Sequence, residues 1–246
     1  MNHLFLQEIR FLWDRLDPDS YVCKIPALTG RDSIIFDHNI TFFAGENGSG
    51  KSTLLEAIAV SYGFNPEGGT PNYRFSSYDS HSDLHQILRL VKGPRKPKNS
   101  YFLRAESFYN VATKTEEYRD SDTIEHYYRR FGSKSFHQQS HGESFLALMQ
   151  GTFTGQGFYI LDEPEAALSP QRQLTLFIQL HRLAGLGAQF LIASHSPILL
   201  GIPGASILSF DNGSITPCSY EETESYQVTE MFLNQRDYFV KKLLSD

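Results

Sequence analysis

Apolar runs of two different periods alternate along this chain with polar stretches, and together they predict an α/β protein. Residues 4–11 and 34–43 are short β-favouring runs, expected to form antiparallel strands at a sheet edge, with the polar stretch 14–31 as an excursion between them. A helix is expected to about residue 62, followed by the breaker cluster Asn65-Pro66-Glu67-Gly68-Gly69-Thr70-Pro71-Asn72. Leu84, Ile87, Leu88 and Val91 fall at i, i+3, i+4 and i+7, so the spacing predicts a short amphipathic helix ended by Gly93-Pro94. Residues 101–103 read as a strand, and 113–136 as a polar stretch with Tyr127, Tyr128 and Phe131 as anchors of one helix. The second half is more regular: a strand at 158–161, a helix over about 171–184 and a strand at 189–193. That alternation implies a parallel sheet covered by helices. Residues 207–210 and 214–216 flank an Asn212-Gly213 step that favours a hairpin turn, and one C-terminal helix is expected over about 228–244. The expected organisation is a single domain over 1–246, with a mostly helical lobe at about 65–150.

Chemistry enters at Gly45-Glu46-Asn47-Gly48-Ser49-Gly50-Lys51-Ser52, a complete G-x-x-x-x-G-K-S phosphate-binding loop between an apolar run and a helix beginning Thr53-Leu54-Leu55. A phosphate must lie against backbone N–H groups, and side chains at the glycine positions would block that approach. Lys51 supplies a point charge to the phosphates, and Ser52 offers a hydroxyl to Mg²⁺.

Four more signals follow in order. In Gln139-Ser140-His141-Gly142-Glu143-Ser144, a serine and a glycine open an apolar helix and present a hydroxyl and free N–H groups to an anion. Phe158-Tyr159-Ile160-Leu161-Asp162-Glu163-Pro164 delivers two carboxylates at the end of a strand, Asp162 suited to the Mg²⁺ shell and Glu163 to the attacking water. Ala167-Leu168-Ser169-Pro170 lies just beyond, and Ser194-His195-Ser196-Pro197 places an imidazole after the next strand.

With these residues in this order, the stretch from about 40 to 197 resembles the ABC-type ATPases: phosphate loop, signature loop, Asp-Glu pair, D-loop and switch histidine. The resemblance implies a P-loop fold with a mostly parallel central sheet, N-terminal antiparallel strands and a small helical lobe. It further implies a head-to-tail homodimer that closes around two ATP. Asn47, Gly48, Ser49, Gly50, Lys51, Ser52 and Thr53 would hold the nucleotide, and Ser52 and Asp162 the Mg²⁺. Glu163 would be the general base, with His195 at the γ-phosphate and Lys51 on the phosphates. Ser140 and Gly142 would act on the partner's ATP. The signature reads Ser-His-Gly-Glu where Ser-Gly-Gly-Gln is common, which looks more like the SMC, RecF and SbcC group than like transporter subunits. Residues 162–170 are similar to ATPases of the overcoming-lysogenization and RecF-like branch. No glutamine stands where the Q-loop is expected, and Glu106 is the candidate substitute.

Composition narrows the task that hydrolysis drives. With 22 basic and 28 acidic residues the formal charge is −6, which argues against a surface that is basic all over. Any DNA contact must be local, and Lys92-Gly93-Pro94-Arg95-Lys96-Pro97-Lys98 is the place for it, although such runs more often simply face water. Arg104, Arg129 and Arg130 could reach a phosphate or a partner, or pair with Glu106, Glu116, Glu117 or Glu125. The histidine pairs 81/85 and 137/141 have zinc-like spacing but no evident third ligand. Two distant cysteines, charges near the N-terminus and the lack of a membrane-length apolar run lead to the expectation of a cytoplasmic protein with no membrane insertion of its own. No coiled-coil tract or zinc-hook cysteine pair is present, which removes long-armed chromosome tethering. The expected function is Mg²⁺-dependent ATP hydrolysis coupled to a DNA-directed process, repair or defence, with a nuclease as partner. The alternatives are the ATPase subunit of a membrane transporter and a protein-binding regulatory switch.

Overall fold

The computed structural model describes residues 3–71, 82–104 and 141–245. Its centre is a six-stranded sheet of order β5-β6-β7-β3-β8-β9, built from β3 (Ile40–Ala44), β5 (Asn99–Arg104), β6 (Gly157–Asp162), β7 (Gln189–Ala193), β8 (Ser206–Ser209) and β9 (Thr216–Cys218). Every pairing is parallel except β8 with β9 at one edge. β3, β6 and β7 are buried at every position, as expected of continuous apolar strands covered on both faces. One face carries α1 (Lys51–Tyr62), through Leu54, Leu55 and Ile58. The other carries α3 (His141–Thr152), α4 (Pro170–Gly185) and the single turn α5 (Pro197–Leu200), through Phe145, Leu176 and Leu199.

A second, antiparallel sheet of order β2-β1-β4 joins β1 (Leu6–Phe11), β2 (Ser33–Ile35) and β4 (Leu88–Lys92). It packs with α1 in one apolar cluster and is tied to the central sheet by Gln189, which is fully buried. Gln189 Oε1 accepts from the amides of Phe5 and Leu6 at 2.8 and 2.9 Å, and its Nε2 donates to the Leu6 carbonyl at 2.7 Å. A buried amide satisfied on both ends holds the sheets in register without leaving a polar group unpaired.

Several expectations change. The helix expected over 84–91 is only the turn α2 (Leu84–Ile87), and Leu88 onward is strand β4, because the backbone groups there pair with β1 from Leu6 to Phe11. Residues 34–43 are two strands in two different sheets, one pairing with β1 and the other with β7 and β8. The Asn-Gly step turns with positive φ at Asn212 (55°) and Gly213 (68°), but within a 3₁₀ turn, so the returning strand begins at Thr216. The C-terminal helix is two, α6 (Glu224–Asn234) and α7 (Arg236–Leu244), broken at Gln235, where φ is −132°. Neither buries a residue. Within the span expected as a helical lobe, 88–92 and 99–104 are strands of the two sheets, and 105–140 lies outside the described residues.

Candidate functional site

The strands β3, β6 and β7 run parallel and end together, so Gly45, Asp162 and Ser194 emerge at one sheet edge. The loop after β3 needs glycine at particular points. Gly50 has φ +103° and serves as the left-handed N-cap of α1, and a Cβ there would sit 2.7 Å from Ile25 Cγ2. Gly45 has φ +132°, and a Cβ there would lie 2.8 Å from Asp211 Oδ1. Asp211 braces this end of the loop: Oδ1 accepts from the Glu46 amide at 3.1 Å and Oδ2 from Ser209 Oγ at 2.7 Å.

Lys51 is 4% exposed, and its ammonium donates to the carbonyls of Gly45 (2.7 Å) and Glu46 (2.6 Å), with Ser49 Oγ at 3.5 Å. Burial lowers its pKa, opposed by the carboxylates of Glu163, Asp211, Asp162 and Glu165. From the first turn of α1, Ser52 Oγ donates to Asp162 Oδ1 at 2.8 Å. Asp162 is buried at the last position of β6, and beside it Arg104, the last residue of β5, is in register with it. Arg104 forms a 2.6 Å ion pair with Glu56 of α1, and its Nε lies 3.9 Å from Asp162 Oδ2. Glu56 was not among the partners expected for it; it faces Arg104 across the helix–sheet layer, where sequence distance gives no signal.

Glu163 leaves the strand in the left-handed region, φ 50° and ψ 53°. Such a backbone costs a non-glycine residue about 1–3 kcal/mol and persists only where its surroundings fix it. Here Pro164 disfavours a right-handed helical Glu163, the Glu163 amide donates to the Ala193 carbonyl at 3.0 Å, and the Ala166 amide returns to the Glu163 carbonyl at 3.1 Å. The carboxylate faces His195, with Oε1 3.8 Å from Nε2. His195 Nε2 is buried without a hydrogen-bond partner among the described residues. Burial, and then the Lys51 charge, lower its pKa, so the ring is held neutral.

The phosphate loop borders two cavities of nucleotide-accommodating size. One, of about 550 Å³, lies against residues 46–49, Pro26 and Asp211. The other, of about 500 Å³, lies against Gly45, Glu46, Asn47, Ser194, His195 and the start of α6. The site thus offers an anion a glycine cradle, a buried cation and an unpartnered imidazole nitrogen, and it offers a divalent cation a carboxylate and a hydroxyl already in contact. These residues fit a nucleotide with Mg²⁺.

Of the residues expected at the site, Asn47, Gly48, Ser49, Gly50, Lys51, Ser52, Thr53, Asp162, Glu163 and His195 gather along this edge. Gly142 is buried near the start of α3, where a Cβ would meet the Ala167 carbonyl at 2.9 Å, and the adjacent Glu143 pairs with Arg172 at 3.1 Å. The start of that helix is therefore packed against the turn that follows Glu163. Ser140, Glu106, Arg129, Arg130, His81 and His137 lie outside the described residues, and His85 Nδ1 is 2.7 Å from the Ser82 carbonyl oxygen. Sequence reasoning assigned no role to Glu165, Asp211 or Gln173. Only their contacts across the fold distinguish them from ordinary surface polar residues.

A family model for the AAA domain matches residues 27–163, more than half of the 246-residue chain. The protein belongs to the AAA-domain family. It is an ATPase. A second AAA-domain model, whose description connects it with AbiEii toxin and type IV TA systems, matches residues 135–201 and so takes in both the Asp-Glu pair and the histidine. Among solved structures, a protein described as a metal-chelate type ABC transporter in an inward-facing conformation is similar at TM-score 0.51 and 14% identity, covering 93% of this chain and 88% of that one. At that identity the likeness speaks for the fold alone. The SMC head domain from Thermotoga maritima is similar at TM-score 0.48 and 16% identity, covering 88% of this chain and all of that one. Among the described residues, no helix of this ATPase is long and apolar enough to cross a membrane.

Proposed function

We propose that this ATPase binds ATP with Mg²⁺ at the edge of β3, β6 and β7 and closes on a second copy of itself to hydrolyse it. The observation that carries this reading is the convergence of the Ser52–Asp162 hydrogen bond at 2.8 Å with the Glu163–His195 approach at 3.8 Å beside one glycine-rich loop. Asn47 to Thr53 cradle the phosphates and Lys51 neutralises them; Ser52 and Asp162 would hold Mg²⁺, which when bound would supply charge withdrawal from the phosphate oxygens. Glu163 accepts a proton from the attacking water as that water adds to the γ-phosphorus and the bond to the bridging oxygen breaks. His195 donates to a γ-phosphate oxygen. Ser140 and Gly142 complete the site of the partner copy, so each copy is half a catalyst alone.

The chain acts as one ATPase unit over residues 1–246. The coupled process is DNA-directed, with a nuclease as partner: the loop from Lys92 to Lys98 exposes Lys92, Arg95, Lys96 and Lys98 together, the densest basic group among the described residues. A transporter subunit is the alternative, and it would show no DNA affinity.

The test is the Glu163→Gln protein with ATP and Mg²⁺. It should bind ATP, lose turnover by at least about a hundredfold and sediment as a dimer. Unchanged turnover would remove Glu163 from the base position, and a monomer at saturating ATP would overturn the closed pair.

A further inference from the structure

Glu165 sits in the 3₁₀ turn Pro164–Ala167, two residues after the proposed base. The residue as a whole is half-buried, but its Oε2 is shut off from solvent and has no partner among the described residues. All of its hydrogen bonding there runs through Oε1, which accepts from Ser194 Oγ at 2.9 Å, from the His195 amide, and from the Ser196 amide at 3.2 Å. Three consecutive residues of the loop that carries the histidine are therefore gathered on one oxygen. Burial raises this carboxyl's pKa, with the donated hydrogen bonds opposing the rise. A buried carboxyl with one unpaired oxygen is costly, and such a breach of local rules is expected where it serves a site.

The far side of the loop is held from the first turn of α4. Ser196 Oγ donates to Gln173 Oε1 at 2.6 Å while accepting from the amides of Ile198 and Leu199, both at 3.2 Å. Gln173 Nε2 in turn donates to the Leu168 carbonyl at 3.1 Å. The turn after Glu163 thus grips the histidine loop through Glu165, Gln173 of α4 holds it at Ser196, and the Glu163 amide adds a third tie at Ala193.

We infer that Glu165 is a positioning residue for hydrolysis: its Oε1 fixes residues 194–196 so that the His195 imidazole stands beside Glu163. It acts through the histidine loop and takes no part in the bond-making itself. The inference rests on the roles proposed above for Glu163 and His195. Because one turn bears both the base and the grip on the histidine, a displacement of that turn, which also packs against the start of α3 at Gly142, moves both catalytic groups together.

The test is a double-mutant cycle on steady-state ATPase activity of the full chain, with ATP affinity measured separately by equilibrium titration on the Glu163→Gln background. Glu165→Leu should lower kcat about tenfold or more while the ATP Kd stays within about threefold, since the phosphate loop is untouched. Glu165→Gln keeps an oxygen at Oε1 and should recover most of that loss. In the His195→Ala background, Glu165→Leu should have no further effect, whereas a merely structural role would multiply the two losses. Multiplicative losses, or wild-type kcat in Glu165→Leu, would overturn the inference. If Glu165→Leu does not fold, Ser194→Ala decides: a loss of kcat of about threefold or more with an unchanged melting temperature supports the grip, and unchanged kcat refutes it. If His195→Ala itself keeps full activity, the histidine's assigned role falls. If His195→Ala is slow and Glu165→Leu is not, only the positioning role falls.

Discussion

Ser52 and Asp162 stand 110 positions apart in the chain, yet Ser52 Oγ donates to Asp162 Oδ1 at 2.8 Å. The contact joins the first turn of α1 to the last residue of β6 and brings two oxygen ligands suited to Mg²⁺ into one place. Asp162→Ala should therefore abolish the part of ATP affinity that depends on the metal and leave the part that depends on the loop. In the wild type, adding Mg²⁺ should tighten ATP binding by about tenfold or more, and in Asp162→Ala by less than about twofold. Equal Mg²⁺ enhancement in both proteins, read by equilibrium titration with and without EDTA, would remove Asp162 from the metal site.

Lys51 and His195 are coupled through charge. Burial is the larger cause of the histidine's lowered pKa and the Lys51 ammonium the next, with Glu163 and Asp211 pulling the other way. The His195 resonance should accordingly titrate below 6.5, the ordinary value. Below that pH the unfolded chain takes up the proton more readily than the folded one, so this group's contribution to stability rises with pH through the window just under 6.5 and is level above it. Lys51→Ala should move the midpoint upward and weaken ATP binding. A midpoint at or above 6.5 in the nucleotide-free wild type, followed by NMR, would contradict the burial of the ring.

What the sequence disclosed follows from how local each signal is. The phosphate loop, the strand ending in Asp162 and the strand before His195 are contiguous patterns whose geometry is set within a few residues, and they lie as expected. The segment from Leu84 to Val91 fits a helical period in its apolar positions, but Leu88–Lys92 also offers β1 a free edge to pair with. A partner about 80 positions away overrode a local pattern. Glu165 was illegible for the same reason, because its donors, one hydroxyl and two main-chain amides, lie about 30 positions downstream. The break at Gln235 has neither glycine nor proline to announce it, and nothing in the described contacts explains it.

The basic loop between β4 and β5 is partly engaged already. Lys92 Nζ lies 4.0 Å over the Tyr62 ring, and Arg95 stacks 5.4 Å from Phe5 while donating to the His3 carbonyl. Their charges still face solvent, so duplex DNA should bind the Glu163→Gln protein with ATP and lose affinity with salt, with a log–log slope of about −0.9 per phosphate contacted. Replacing Lys92, Arg95, Lys96 and Lys98 by Gln should flatten that slope and leave ATPase activity unchanged, since none of them lines the nucleotide site. No affinity for DNA at low salt would instead favour the transporter or protein-switch reading.

At Gly50, backbone conformation and packing both forbid a side chain. Its φ of +103° is a region that L residues rarely adopt, and a Cβ there would press to 2.7 Å on Ile25 Cγ2. Ile25 packs against the core beneath the antiparallel sheet and is stiff at χ1, so the methyl cannot swing clear cheaply. Gly50→Ala should lower unfolding stability by about 1–3 kcal/mol. It should also weaken ATP binding, because the first turn of α1 must shift to relieve the contact. Gly185, at the end of α4, is a matched control. It has no left-handed φ, and among the described residues no atom beyond its chain neighbours and its own helix backbone lies within 4 Å of the place a methyl would take, so Gly185→Ala should be neutral or stabilising by up to about 1 kcal/mol. Urea unfolding at constant m-value compares the two. If Gly50→Ala unfolds at the wild-type midpoint, the left-handed cap at the start of α1 is wrong, and with it the cradle assigned to the phosphates.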